Sequence, residues 1–545
     1  MTMKYFRPSV KVEPIIWEWY AWSYLIPPAT AACNIVGRHI KIMDSYISMP
    51  QAHAQAVKNP KMLGGPFIDL NGEKVAEVQQ LIEKTKENCA NLIALDKALK
   101  ECDRMLKEEA VGEGLTEFYS RIPDSLGGMV ELVYDLNNHA TLRLIEPLLY
   151  KKYYSTQCQA LDISETLTDF RPFALSTPCL ETEDKMRFNI AFNDPRLDIL
   201  FKAKENAQSL ASLIDIFNVP VVKQKSFNSF FTEMSPNLAV DRNYAGDGVR
   251  IRYLGHACVL VETKNASILI DPVISYPVQS TIPRFTFNDL PERINYVVIT
   301  HNHQDHVMLE SLIALRHKID KIIIPAGQKG ALADPSLKLI LQALGFHTIV
   351  ELDEMESIPV KDGKITGIPF FGEHSDLNIQ TKLAYMVELF GQKLMFLADS
   401  NNLDTRLYQY IFNEVGAIDF LFIGMECEGA PLTWLYGPLL STPIKRSYDY
   451  SRTLSGSNYE KAWILAELSK TNHAYVYAMG QEPWLNYVMA LKYDNDSPQI
   501  RESDKFVAAC LENGINSERL FGRKEWLIAP KSVSIKSSTA TSLFV

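Results

Sequence analysis

Long hydrophobic runs are missing from this chain. The stretch from Ile15 to Ile35 is rich in Trp, Tyr and Ala, but Glu18 and the Pro27-Pro28 pair interrupt it. A spanning helix needs about 18–20 consecutive apolar residues, so no membrane segment is expected. The first residues, MTMKYFRPSVKVEP, lack the basic-then-apolar order of a secretory leader. Cysteine is sparse and irregular: Cys33, Cys89, Cys102, Cys158, Cys179, Cys258, Cys427 and Cys510 form no CxxC pair. Such thiols read as buried groups of a reducing compartment rather than a disulfide framework, and the expected location is cytoplasmic. Positive charge is also short, with 55 Lys and Arg against 65 Asp and Glu and a net charge of -10. That removes the basic face a nucleic-acid binder needs. Internal repeats, low-complexity tracts and long charge blocks are absent as well.

What remains is ordinary globular material. Apolar residues make up 47% and charged residues 22% of the sequence, close to the average for packed soluble domains. At roughly 150 residues per domain, 545 residues allow two to four. Residues 1 to about 65 are aromatic and punctuated by Pro. From Asp69 to about Glu109, Val75, Val78, Leu81, Ile82, Cys89, Leu92, Ile93, Leu99, Cys102 and Leu106 recur three or four apart, which predicts amphipathic helix with a core-facing stripe. MVELVYDL is a strand candidate, and a second helical stretch is expected from about Leu197 to Phe217. Residues 1–244 therefore read as a separate α+β domain without a chemical motif.

The turn-forming cluster NYAGDG, Asn243 to Gly248, marks the boundary to residues 245–545. Beyond it, VRIRYLG, ACVLVET and SILIDP read as successive short strands. YVVIT (Tyr296 to Thr300) is a buried strand that runs straight into HNHQDH. A helix around Met308 to Arg316 and the strand KIIIP follow. KITGIPFF ends at Gly372-Glu373-His374, KLAYMVEL and KLMFLAD form a hairpin around Gly391, and DFLFIG and AYVYAMG are further strands. Strands with interspersed helices suit an α/β sandwich with helices outside.

The chemistry lies in His301-Asn302-His303-Gln304-Asp305-His306. The chain holds only 11 histidines, and three fall in this hexapeptide, which weighs against a polar loop with chance histidines. A loop at a strand end can aim His301 and His303 at one metal. Asp305 and His306 then face a second about 3.5–4 Å away, the usual separation of two-metal sites. The HxHxDH spacing resembles the metallo-β-lactamase superfamily, and that resemblance implies that Asp271, ending SILIDP, orients a ligating His, that Asp399, ending KLMFLAD, bridges two metals, and that one further ligand comes from Gly372-Glu373-His374. That ligand is Glu373 or His374. With His374 the centre is an ordinary dizinc hydrolase site. With Glu373 the set becomes three His and three carboxylates, an oxygen-rich environment that favours iron and leaves open positions for dioxygen.

HxHxDH is the signature of the metallo-β-lactamase superfamily. The segment from about Val249 to Ile528 resembles it and implies an αββα sandwich preceded by the α+β domain. The whole chain resembles more closely the diiron aminoacyl β-hydroxylases of the chloramphenicol pathway and of nonribosomal peptide assembly lines. In that family a glutamate replaces the third His of the lactamase pattern, and Glu373 falls at the matching place. The YDLNN, IEPLLY and YAMGQEPW segments are also similar. The resemblance implies that His301, His303 and Glu373 bind one iron, that Asp305 and His306 bind the other, and that Asp399 bridges. A further His on the second metal has no clear match. His473 stands before its strand rather than after it, Glu482 lies at the better end, and solvent is the third option. His256, in YLGHACVL, reads as a turn residue more readily than as a wall of the site. Cys258 and Cys427 read as core thiols, and Met425-Glu426-Cys427-Glu428-Gly429 as an exposed loop or a carboxylate source behind the ligands.

The implied activity is an O2-dependent β-hydroxylation with two irons and an external electron donor or reductase. The implied substrate is an amino acid tethered as a thioester to a carrier-protein domain of a nonribosomal peptide synthetase. Residues 1–244 are implied as a homodimer or docking surface. The competing readings are three. A dizinc lactonase or phosphodiesterase relative requires His374. A flavodiiron enzyme would carry Glu where His303 stands. A structural metal would usually bring Cys ligands.

Overall fold

Alternation along single strands decides the centre of the molecule. In the strand Val249–Gly255, Val249, Ile251 and Tyr253 belong to one buried cluster while Leu254 belongs to another. In Cys258–Glu262, Val259 and Val261 join the first cluster, and Cys258 and Leu260 the second. A sheet whose two faces are both apolar must be covered on both sides. Each fully buried Val, Leu or Ile contributes roughly 1.5–3 kcal/mol, and a one-residue slip would exchange the two faces, so the register is fixed. The computed structural model describes residues 3–531.

The first of two seven-stranded sheets runs, edge to edge, Ile349–Leu352, Ile319–Pro325, Ile294–Val298, Ser267–Ile270, Cys258–Glu262, Val249–Gly255 and Lys524–Ile528. The second runs Ser357–Val360, Gly363–Ile368, Ala384–Leu389, Gln392–Phe396, Phe420–Gly424, His473–Tyr477 and Asn516–Arg519. Val249 pairs with Ile528, so the first and last strands of the sandwich lie side by side. The two sheets face each other across a core that joins Ile251, Val261 and Ile270 to Tyr385, Phe396, Phe422 and Tyr477. The helices Thr405–Val415, Tyr459–Ser469 and Pro498–Glu512 cover the outer face of the second sheet. This is the expected αββα sandwich.

In each sheet four neighbouring strands are parallel, beginning at Ser267–Ile270 in one and at Gln392–Phe396 in the other. Their carboxyl ends therefore open on one edge of the sandwich. Loops leaving parallel strands at that end are the usual ligand-binding edge of such sheets.

The first half forms a four-stranded antiparallel sheet (Trp19–Tyr20, Val10–Ile16, Gln159–Glu165, Met186–Asn189), the hairpin Val130–Tyr134/Ala140–Leu144, and helices. The predicted helix from Asp69 onward is two helices, Val75–Asn88 and Ala90–Glu109, and most of its stripe is buried. The stretch from Leu197 to Phe217 is not one helix. Arg196–Lys202 and Leu210–Ile216 are separated by a turn and a short strand, Gln208–Ser209. Long-range contacts break it: Lys204 donates to the Val10 carbonyl, and Glu205 pairs with Lys318 and Arg242. No helix among the described residues is long and apolar enough to cross a membrane.

The apolar core crosses residue 244 without a break. Phe6, Val12, Trp19 and Leu25 share a cluster with Leu260, Leu269, Val297 and Ile322 on the outer face of the first sheet. A buried polar knot sits in this contact. Arg171 Nη2 lies 2.7 Å from Glu13 Oε1 and 2.7 Å from Glu310 Oε2, and its guanidinium is 3.5 Å from the Tyr487 ring centre. Tyr20 and Tyr276 also donate to Glu310, at 2.9 and 2.8 Å. Removing one partner of a buried ion pair strands the other. Arg171→Met is expected to destabilise the chain by about 3–5 kcal/mol, measured by denaturant unfolding. A loss below about 1 kcal/mol, the scale of an exposed pair, would mean that water reaches the knot.

Candidate metal centre

The motif loop leaves the strand Ile294–Val298 at the open edge. It curls because the His306 and Val307 amides return to the His303 carbonyl, at 3.2 and 2.8 Å. Asp271, one residue beyond the neighbouring strand, is fully buried. Its carboxylate accepts from the Thr300 amide (2.8 Å), the Thr300 hydroxyl (2.7 Å) and His306 Nδ1 (2.8 Å). These bonds assign protons. With its own proton given to Asp271, the Thr300 oxygen accepts from His301 Nδ1 at 3.0 Å. His301 and His306 are thus both protonated on Nδ1 and turn their Nε2 lone pairs inward. Fixing the ligating tautomer in this way is the general role of a carboxylate behind a metal-binding His.

Three groups of ligand atoms lie within 4.8 Å of one another: His301, His303 and Glu373; His301, His306 and Asp399; and His256, Asp305 and His306. Glu373 Oε1 is 3.1 Å from His303 Nδ1, and Glu373 Oε2 is 3.8 Å from His301 Nε2. Asp399 Oδ2 is 3.0 Å from His306 Nε2 and 3.7 Å from His301 Nε2, between the two sides of the site. All six residues expected from the sequence come together here, and all are buried.

The backbone around Glu373 is strained. Gly372, Glu373, Ser375 and Asp376 have φ of 74°, 66°, 54° and 57°. Non-glycine residues pay for such conformations, typically about 1–3 kcal/mol each where the region is sparsely populated. A side chain at Gly372 would meet Asn401 Cβ at 2.6 Å, so the loop is pressed against the segment that follows Asp399. Ala398, just before Asp399, is also left-handed at 46°.

The donor set fits a dinuclear cation site. His301 Nε2, Glu373 Oε2 and Asp399 Oδ1 are buried without any hydrogen-bond partner, which costs free energy unless something else satisfies them. Burial, only partly offset by His303, pushes the Glu373 carboxyl up to about 7. Burial also disfavours a charge on Asp305, but His306 and a bond from His256 outweigh it and hold that carboxyl below the usual range. Burial opposes protonation of His306, yet Asp305, Asp399 and Asp271 hold its ring above the ordinary histidine range. The cluster thus calls for positive charge at the inner nitrogens and carboxylate oxygens.

His374, which the hydrolase reading requires, stands outside all three groups. Its Nδ1 is 2.9 Å from the Tyr436 hydroxyl, and its Nε2 is 3.5 Å from Glu373 Oε2. His473 lies at the opposite end of its strand, stacked on Phe420 with ring centres 4.3 Å apart. Glu482 is buried, accepts from Tyr253 at 2.5 Å, and is in none of the groups. Neither belongs to these ligand groups.

His256 does face the site, which corrects its reading as a turn residue. It occupies the turn with φ of 52°, and its ring also reaches Asp305 Oδ2 through Nε2 at 3.0 Å. The Gly480 amide donates to its Nδ1 at 3.1 Å, so the ring proton is on Nε2 and points at Asp305. His256 therefore serves Asp305 as a hydrogen-bond donor. Glu426 turns inward too: burial and the neighbouring Asp399 and Asp305 charges raise its carboxyl well above the usual range. The Cys258 and Cys427 thiols are pushed up by burial, to about 12 and about 11, as expected of unreactive thiols. Sequence reasoning also missed Thr300 and Tyr436. Thr300 stands directly before the motif and was within reach of a local reading, whereas Tyr436 lies 133 residues from the His303 it bonds.

Two family profiles match the chain: a diiron non-haem β-hydroxylase N-terminal domain over residues 5–235, and a β-lactamase superfamily domain over residues 266–429. The 4-amino-L-phenylalanyl-(CmlP peptidyl-carrier-protein) 3-hydroxylase of Streptomyces venezuelae is 36% identical over 528 residues, covering 95% of this chain and 98% of the relative. The crystal structure of CmlA, a diiron β-hydroxylase from S. venezuelae, superposes with a TM-score of 0.89 at 36% identity, covering 97% of this chain and 100% of that one. A UPF0173 protein of Pyrococcus abyssi is 31% identical over 231 residues, 40% of this chain. The chain belongs to the CmlA family of non-haem diiron β-hydroxylases, O2-dependent monooxygenases whose metal domain has the metallo-β-lactamase fold.

Proposed function

We propose that this protein hydroxylates the β-carbon of an amino acid held as a thioester on the carrier-protein domain of a nonribosomal peptide synthetase. The observation that carries the reading is that a Glu373 oxygen, and not a His374 nitrogen, groups with the ligand atoms of His301 and His303. In this proposal His301, His303 and Glu373 hold one iron, Asp305 and His306 hold the other, and Asp399 bridges. Two irons bound there would supply dioxygen activation, with electrons from an external reductase. A zinc hydrolase gains nothing from the added carboxylate, which weakens the Lewis acidity that makes bound water acidic.

The chain's own residues have separable tasks. Asp271 and Thr300 hold His301 and His306 in their ligating tautomers, and His256 holds one oxygen of Asp305. The strained Glu373 backbone sets that carboxylate apart from the rigid strand ends that carry the other ligands. Phe370, packed on the His301 ring at 5.3 Å, keeps apolar surface against the cluster and excludes water. Residues 1–244 and 245–545 are the two working units in this reading, the first for docking or dimerisation and the second for chemistry.

Iron analysis and mass spectrometry of an aminoacylated carrier test it together. The wild-type chain is expected to hold about two irons, as a dinuclear site would, and with reductant and O2 to add one oxygen atom to the carrier-bound amino acid but not to the free one. Two zincs and thioester or phosphodiester cleavage would sink the proposal. Glu373→Ala is expected to lose hydroxylation and to drop the iron content toward about one per chain, with the fold intact by circular dichroism. Full activity in Glu373→Ala together with its loss in His374→Ala would reverse the ligand assignment.

A further inference from the structure

Tyr436 ends the short helix Leu432–Tyr436 and is fully buried. Its hydroxyl lies 2.9 Å from His303 Nε2 and 2.9 Å from His374 Nδ1. One hydroxyl has one proton to give, so the two imidazoles must differ in tautomer. The His303 nitrogen that faces Glu373 Oε1, at 3.1 Å, is Nδ1. If that nitrogen keeps its lone pair for a metal, the His303 proton is on Nε2 and is donated to the Tyr436 oxygen. The Tyr436 proton then goes to His374 Nδ1. His374 is left protonated on Nε2, which has no other partner and faces the equally unpartnered Glu373 Oε2 at 3.5 Å. The result is a directed pair of hydrogen bonds, His303 to Tyr436 to His374, whose far end faces Glu373 in the same cluster.

Tyr436 is held from the first half of the chain. Arg38 Nη2 donates to the carbonyls of Trp434 and Leu435, at 2.7 and 3.3 Å. Trp434 Nε1 donates to the Gly64 carbonyl at 2.9 Å, and the Tyr24 ring centre is 6.3 Å from that of Tyr436. Arg38 lies in a six-residue π-helical segment, Ile35–Ile40, a rare conformation that recurs at functional sites. A side chain at Gly37 would meet Pro438 Cα at 2.9 Å, so this segment packs directly against the residues that follow Tyr436.

We propose that Tyr436 is a positioning residue for the diiron site: it fixes the ligating tautomer of His303, restrains the Glu373 carboxylate through His374, and is itself set in place by Arg38. The proposal rests on the ligand assignment above. It also gives the first half of the chain a direct part in shaping the metal site.

The test uses full-length, iron-loaded protein. Tyr436→Phe keeps the ring and removes the hydroxyl. Its iron is expected to leave in two phases under a ferrous chelator, one close to wild type and one weakened roughly 10–100-fold, the usual cost of losing a partner behind a metal ligand. The near-ultraviolet absorption of the ferric protein should shift. His374→Gln is expected to repeat the fast phase, and Arg38→Met to show a smaller change in the same direction. Thermal unfolding of the metal-free variants, close to wild type, excludes simple misfolding. Unchanged iron release and absorption in both Tyr436→Phe and His374→Gln would overturn the proposal. Wild-type protein that binds no iron pair would remove the ligand assignment, and the proposal with it, before any variant is compared.

Discussion

The carboxylate of Asp271 is the fixed point of this molecule. It is fully buried, carries no cation of its own beyond the imidazole of His306, and is satisfied by the Thr300 amide, the Thr300 hydroxyl and His306 Nδ1. Buried without such partners, a carboxylate would cost the fold free energy. With these partners it dictates which nitrogen of two histidines is protonated, and so which nitrogens meet at the centre. Everything nearer the metal depends on that. The arrangement exists because the strands Ser267–Ile270 and Ile294–Val298 are parallel neighbours, which brings the residues just after each strand to the same edge.

Around this point the site is built in two mechanically different ways. His301, His303, Asp305 and His306 stand on the hydrogen-bonded loop that leaves Ile294–Val298, and Asp399 just beyond Gln392–Phe396, strands whose register is locked by alternating core residues. Glu373 stands on a loop with four left-handed residues. Strain is retained only where the surroundings over-determine it. Here they do: Gly372 presses on Asn401, and Lys382, whose backbone bridges to His301, also reaches the Gly372 carbonyl with its ammonium. In the proposed assignment, the carboxylate that sets this site apart from an all-histidine zinc site therefore stands on strained backbone. Burial, only partly offset by His303, brings the Glu373 carboxyl up to about 7, whereas a cation beside it would favour the carboxylate.

Much of this was legible in the sequence, for identifiable reasons. The hexapeptide at His301 concentrates its candidate ligands in one loop, so spacing alone exposed it. Asp271 and Asp399 follow apolar runs short enough to read as buried strands. The sandwich appeared because period-two alternation survives in strands covered on both faces. What escaped was set by contacts between distant segments. The helix expected from Leu197 to Phe217 is broken by Lys204 and Glu205, whose partners lie at Val10, Arg242 and Lys318. His256 looked like a turn residue because it is one, and only the fold shows that the same turn aims its ring at Asp305. Tyr436 carries no motif at all, and its meaning comes from two imidazoles that the chain reaches only after folding.

The continuity of the core across residue 244 bears on why such an enzyme carries a first half at all. A metallo-β-lactamase sandwich needs an outer layer on its first sheet, and in this chain Phe6, Val12, Trp19 and Leu25 help to supply it. The Arg171 knot ties Glu13 of that layer to Glu310 on the helix that follows the metal loop. The first half is therefore part of the scaffold that holds the motif, and not a module joined by a tether. Because its contacts reach both the helix after His306 and the segment around Tyr436, any partner that shifted this half would act on both ends of the metal loop. In interiors packed as tightly as crystals, such a shift is transmitted rather than absorbed.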